Sequence, residues 1–122
     1  MCFTVRKNQS QQIATEDITC YKMFKDPEYF SVPDGIFRSP FQSFDYEKGK
    51  RYDLGKELNI IEDEIDEGFH SYIRETAAIM AVAAVGREVA ICIIPKGSKY
   101  YIDPVKEEYV SDSIIIGIKF IK

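Results

Sequence analysis

Histidine is almost absent from this chain: His70 is the only one among 122 residues. A zinc centre draws several His or Cys ligands at set spacings. One histidine, with no HExxH and no C-x-x-C pattern, therefore argues against zinc. Cysteine is nearly as scarce. Cys2, Cys20 and Cys92 are odd in number and widely spaced, which fits no disulfide framework and suits a reducing compartment. Cys92, inside an apolar run, reads as a small buried hydrophobe. No apolar stretch reaches the length that spans a bilayer. The opening MCFTVRKNQSQQ lacks the order of a secretion signal, and there is no repeat, low-complexity tract or linker. A basic excess is missing as well. Sixteen Lys and Arg against twenty Asp and Glu leave a net charge of -4, which argues against generic binding of duplex nucleic acid. Net charge does not describe local fields, so a basic pocket for one small anion stays compatible with it. The expectation is one cytoplasmic domain over residues 1–122, with no membrane span, no metal and no cofactor.

What is present is apolar and aromatic. Hydrophobic residues make up 45% and aromatics 13%, the balance of a chain that buries a core. Residues 17–24 (DITCYKMF) and 49–54 (GKRYDL) read as strands. Residues 89–94 (VAICII) are apolar on both alternating faces and read as a central strand covered above and below. Residues 95–98 form a turn into a short strand, 99–102. Residues 113–121 set Ile114, Ile116, Ile118 and Phe120 on one face, the mark of a long strand with a buried side. Residues 25–45 carry turn signals at Pro27, Pro33, Asp34-Gly35 and Pro40. They also hold Tyr29, Phe30, Phe37, Phe41 and Phe44, with Tyr46 just beyond, too many rings to leave in water, so this connection is expected to pack on the core. The spacing predicts a helix over 73–85, capped by Ser71, with Glu75 in its first turn and Gly86 closing it. Ile73, Ala77, Met80, Ala81 and Ala84 form its stripe. The acids Glu57, Glu62, Asp63, Glu64, Asp66 and Glu67 read as a solvated face, since no glycine-and-carboxylate calcium loop accompanies them. The fold class expected is α+β: a mostly antiparallel twisted sheet with one or two helices.

Two stretches gather aromatic and basic groups: GFHSYIRET at 68–76 and CIIPKGSKYYID at 92–103. A catalytic histidine needs a nucleophile to activate or a carboxylate to orient it. His70 has neither in view and reads as a structural or ligand-contacting group. Tyr100 and Tyr101 on a strand face opposite ways, one for the core and one for a pocket wall where a phenol stacks on a base. Lys96-Gly97-Ser98-Lys99 is no Walker motif, because it leads into a strand. Its backbone N–H groups are nonetheless candidates for an anion nest. Arg51, Arg74 and Arg87 are scattered. Arg74, at the expected helix start beside Phe69 and His70, suits a phosphate. No separated pair of carboxylates stands out as acid and base, and the adjacent Glu107-Glu108 reads as solvent-facing.

Two resemblances follow from these residues. Over residues 68–122, Phe69-His70-Ser71, Ile94-Pro95-Lys96-Gly97 and Glu107-Glu108 are similar in order to the second half of ADP-ribosyltransferase-like folds. The Ser-Thr-Ser triplet and the Glu-x-Glu pair of that family are not reproduced. Across most of the chain, Ser39-Pro40-Phe41, Phe44, Tyr46-Glu47, Gly49-Lys50 and Tyr52, followed by GFHSY and CIIPKGSKYY, resemble small phage proteins of the Thoeris anti-defence sponge group. That resemblance implies an oligomer that binds cyclic ADP-ribose isomers, or in some members cyclic oligonucleotides, and holds them uncleaved. Both imply a pocket for adenine and phosphate. Phe69, His70, Tyr100 and Tyr101 would supply base contacts, and Arg51, Arg74, Lys96 and Lys99 phosphate contacts. A short chain offers little depth, so the pocket is expected where chains of a homo-oligomer meet. The alternatives are a reduced ADP-ribosyltransferase acting on NAD through Glu107 or Glu108, and an inhibitor whose acidic run 57–67 mimics nucleic acid for a basic host protein.

Overall fold

The computed structural model describes residues 3–4, 10–25, 31–33, 35–38, 45–58, 60, 64–65, 68–81 and 87–120. In chain order the strands are β1 (Phe3–Thr4), β2 (Gln12–Ile13), β3 (Ile18–Lys25), β4 (Ile36–Arg38), β5 (Asp45–Glu47), β6 (Arg51–Asp53), β7 (Glu64–Ile65) and β8 (Phe69–Tyr72). Helix α1 (Glu75–Ala81) follows, then β9 (Arg87–Ile94), β10 (Lys99–Asp103), β11 (Glu108–Ser111) and β12 (Ser113–Phe120). Eight strands form one sheet in the order β2-β10-β11-β8-β3-β9-β12-β6. Its pairings are antiparallel, as expected.

Two connections force this sheet to fold over. β9 reaches β10 through residues 95–98, and β11 reaches β12 through Asp112 alone, yet three strands separate the members of each pair in the sheet order. In a flat sheet, four strand spacings amount to about 19 Å. The two peptide steps across Asp112 span at most about 7 Å. The half β2-β10-β11-β8 must therefore lie over the half β3-β9-β12-β6, with the bend at β8–β3. Only Tyr21 and Tyr72 are in register there among the described residues, whereas β3 and β9 stay in register from Ile18↔Ile94 to Lys25↔Arg87. Hydrogen bonds close the folded edge: Asp112 N–H to the Lys99 carbonyl (3.0 Å), Leu54 N–H to the Asp112 carbonyl (2.8 Å) and Ala14 N–H to the Ser98 carbonyl (2.8 Å).

The inner faces bury one core of Cys20, Phe24, Ala90, Cys92, Ile94, Tyr100, Tyr109, Ile114 and Ile116. The aromatic connection does pack onto it. Phe37 on β4 meets Phe24 edge-on at 5.0 Å, and Tyr46 on β5 meets Tyr52 at 5.0 Å. Phe37 fits because β12 changes register against β9 between Ile115 and Lys119. Gly117 in that bulge has φ 55°, and a Cβ there would stand 2.3 Å from the ring. Pro27, Tyr29, Phe30, Asp34, Pro40, Phe41 and Phe44 lie outside the described residues.

The acidic run is more than a solvated face. Its apolar residues Leu58 and Ile65 pack with Leu54 on Tyr101 and Val110, on the outer side of the sheet. Glu62, Asp63, Asp66 and Glu67 lie outside the described residues. Among the described residues, helix is scarcer than expected. α1 covers 75–81, and 82–86 are not described. Ser71 does not cap it: Ser71 is buried at 2% exposure within β8, because the FHSY alternation places it on the inner face. No helix among the described residues is long and apolar enough to cross a membrane.

Candidate functional site

Strand β8 decides where the chemistry lies. Side chains alternate along a strand, so Phe69 and Ser71 turn inward while His70 and Tyr72 turn outward. Phe69 packs against the inner core. His70 is thus on a strand, five residues ahead of the first helical residue, and not at a helix start. Register carries the outward row across three strands: Glu108 on β11 faces Tyr72, which faces Tyr21 on β3. One row along, His70 faces Val110, which faces Tyr101 on β10. Opposed residues in antiparallel strands have Cβ atoms about 4.5–5.5 Å apart. The outer face therefore sets two phenols, an imidazole and a carboxyl side by side, each half-buried.

The electrostatics of this row are distinctive. Burial holds the Glu108 carboxyl above its ordinary range, with Asp103 adding and Lys106 opposing. Burial also raises the Tyr72 phenol, and the Glu108 charge raises it further. Both shifts share one physical cause, the half-buried setting of the row, which disfavours the charged form of each group. Arg74 follows just beyond, with Nε 3.2 Å from Glu107 Oε2. The Glu107 carbonyl accepts the Ile73 N–H at 2.8 Å. These two contacts tie the β10–β11 loop to the entry of α1.

The eight residues singled out from sequence do not form one cluster. Phe69 and Tyr100 lie on the inner face, either side of Ser111. Tyr100 meets Tyr109 edge-on at 5.8 Å and donates its hydroxyl to Gln12 Oε1 at 3.2 Å. His70 and Tyr101 lie on the outer face, with Tyr101 beneath Leu58 and Ile65. The two sequence stretches run along β8 and β10 with β11 between them, about 10 Å apart. Arg51, exposed on the edge strand β6, bonds Asp53 at 3.0 Å. Lys99 bonds Glu57 at 2.9 Å. Lys96 is exposed at the turn.

That turn is not an anion nest. The Lys96 N–H donates to Asp17 Oδ1 (2.9 Å), the Gly97 N–H to the Ala14 carbonyl (2.8 Å), the Ser98 N–H to the Pro95 carbonyl (3.1 Å) and the Lys99 N–H to Asp112 Oδ1 (3.0 Å). Each amide is committed: that of Ser98 closes the turn itself, and the other three tie the turn to Ala14, Asp17 and Asp112. Tyr21 and Tyr72 were missed by motif reading, and Glu108 entered only as a solvent-facing carboxylate or as the acid of the transferase alternative. The signal was available in period-2 alternation, which puts Tyr72 on the face of His70, but the cross-strand register that adds Tyr21 and Glu108 was not. Lys22 was missed too: from the inner face its ammonium reaches across the bend to the His70 carbonyl at 2.7 Å, and burial lowers its pKa.

No protein-family model, curated protein or solved structure matches the chain. Function is therefore read from the site itself.

Proposed function

We propose that the protein is a non-catalytic sponge that sequesters a small nucleotide-derived signal, a cyclic ADP-ribose isomer or a cyclic oligonucleotide, in the cytoplasm of a phage-infected cell. The observation that carries this reading is the register row Tyr21–Tyr72–Glu108, with His70 two residues away on the same face. Tyr21 and Tyr72 offer rings for a base, worth about 1–3 kcal/mol per stacked base. Glu108 and His70 address the edge of the base, and Arg74 addresses phosphate in exchange for Glu107. The fold is read as α+β and as one domain, with α1 as its helical part. An outer face is shallow, so tight capture calls for a second surface, supplied by another copy of the chain.

Calorimetric titration with cyclic ADP-ribose isomers and with cyclic di- and trinucleotides tests the proposal. Saturable heat with one of them is expected, lost in Tyr72→Ala while circular dichroism is unchanged. No heat with any of these ligands overturns the reading. A second reading rests on the raised pKa of Glu108 beside Tyr72: a reduced ADP-ribosyltransferase using Glu108 on NAD. Release of nicotinamide, abolished in Glu108→Gln, would select it over the sponge. Salt-sensitive capture of a basic host protein would favour the acidic run 57–67 instead.

A further inference from the structure

A pair of thiols sits at the centre of the sheet, apart from the outer-face site. Cys20 on β3 and Cys92 on β9 are register partners. Both side chains belong to the inner core, and both are free and fully buried. Register partners in antiparallel strands have Cα atoms about 4.5 or 5.5 Å apart. Disulfides occur at Cα separations of about 4.4–6.8 Å. The backbone therefore already holds the two residues at bridging distance. We propose that Cys20 and Cys92 are a redox-modification site, closed to a cross-strand disulfide by a peroxide and reopened by thiol reductants.

Two features control access. Burial pushes the Cys20 thiol up to about 12 and the Cys92 thiol to about 11, so the packed pair is protonated and inert at neutral pH. Reaction requires the sheet to part, and β3 has its weak neighbour on the Cys20 side. The bend to β8 has one register pair among the described residues, and the Lys22 ammonium bridges it to the His70 carbonyl. When the bend opens, Cys20 meets solvent with the Lys22 ammonium two residues away, and a nearby cation favours thiolate. The Cys92 sulfur accepts the Gly117 N–H at 3.3 Å, an acceptor role that a disulfide sulfur keeps.

The chemistry balances with hydrogen peroxide as oxidant. The Cys20 thiolate attacks one peroxide oxygen, the O–O bond breaks, and hydroxide leaves with a proton as water, giving a sulfenic acid. The Cys92 thiolate then attacks the Cys20 sulfur, the S–O bond breaks, and a second water departs. Two thiols lose two hydrogens and two electrons, and the peroxide becomes two waters.

The test treats the folded, full-length wild-type chain with hydrogen peroxide, alkylates it under denaturing conditions and maps tryptic peptides without reduction. The expected product joins residues 8–22 to residues 88–96, two hydrogens lighter than the separate peptides, and disappears on adding dithiothreitol. A control oxidised in urea should scatter its pairings to include the Cys2 peptide. Alkylatable Cys20 and Cys92 after treatment, separate sulfinic or sulfonic acids, or the Cys2 peptide as the preferred partner in the folded chain would each overturn the assignment.

Discussion

Replacing Gly117 by alanine tests how the aromatic connection is held to the sheet. The added Cβ would lie 2.3, 2.5 and 2.7 Å from three atoms of the Phe37 ring, where carbon atoms normally approach to about 3.5–4.0 Å. The ring has little room to retreat. Phe37 is 3% exposed and braced against Phe24 at 5.0 Å. Overpacking of this kind costs about 1–3 kcal/mol, and a non-glycine residue in the left-handed region adds about 1–2 kcal/mol. The sum, about 2–5 kcal/mol, is a large share of the roughly 5–15 kcal/mol that keeps such a chain folded. Urea unfolding followed by circular dichroism reads the loss as a fall in midpoint at constant slope. The diagnostic step is a double-mutant cycle with Phe37→Leu. In that background the clash is gone, and Gly117→Ala should cost only the backbone strain. Equal costs in both backgrounds, or a cost below about 1 kcal/mol in the wild type, would show that Phe37 does not rest on Gly117.

Gly68 has φ 122°, and a Cβ there would stand 2.8 Å from Val110 Cγ2 and 2.9 Å from Leu58 Cδ2. Gly68→Ala should cost about 2–4 kcal/mol and speed hydrogen exchange at Leu54 and Leu58; unchanged exchange there would mean that the outer cluster is not pinned at this point. Glu108 holds its proton more tightly folded than at its ordinary value of 4.5, so its contribution is fully present below pH 4.5 and is lost as pH rises through the higher folded value. Glu108→Gln should therefore match the wild type near pH 4 and exceed it in stability at pH 7, and a loss at pH 7 in urea titrations would refute the burial argument. The raised thiols of Cys20 and Cys92 act in the same sense from 9.0 up to about 12 and about 11, so stability should fall as pH climbs above 9. The double variant Cys20→Ala/Cys92→Ala should flatten that alkaline decline, while Lys22, lowered from 10.5, contributes with the opposite sign below 10.5.

The strands were legible because their patterns are local. Alternation of Ile114, Ile116, Ile118 and Phe120 marks β12, and the two-sided apolar run at 89–94 marks β9 at the sheet centre. The bend was not legible, since it follows from which strands pair and no single segment carries that information. It decides the site nonetheless. With the sheet folded, the ring pair Tyr100-Tyr101 divides between inner core and outer cluster, and Lys96, Gly97 and Lys99 spend their amides on tying the turn to Asp17, Ala14 and Asp112. The helix was overread. Alanines at 77, 78 and 81 suit a helix, but Ser71 as a cap required the chain to leave the sheet early, and FHSY pairs fully with β11. The acidic run shows the same limit from the other side. Its charges dominate the composition, while Leu58 and Ile65 fix its place.

On the proposed reading, the folded sheet also gives a reason for a ligand to sit on an outer face. The inner space is filled by the chain's own rings and isoleucines, from Tyr100 and Tyr109 at one side to Phe24 and Phe37 at the other. A base admitted there would have to displace close-packed side chains at a cost of several kcal/mol, on the scale of about 2–5 kcal/mol for each large residue removed from a core. On the outside, Tyr21 and Tyr72 face each other across the bend, the one junction in the sheet where a single described register pair joins the two layers. A ligand spanning both rings touches β3 and β8 at once. Its binding energy would then add to a junction that one register pair joins, and mass action would stabilise the folded chain with the logarithm of ligand concentration over Kd. The Lys22 bond to the His70 carbonyl already fastens that junction from within. Under the proposed function the outer row would fasten it from without only when occupied, which would couple capture of a ligand to closure of the sheet.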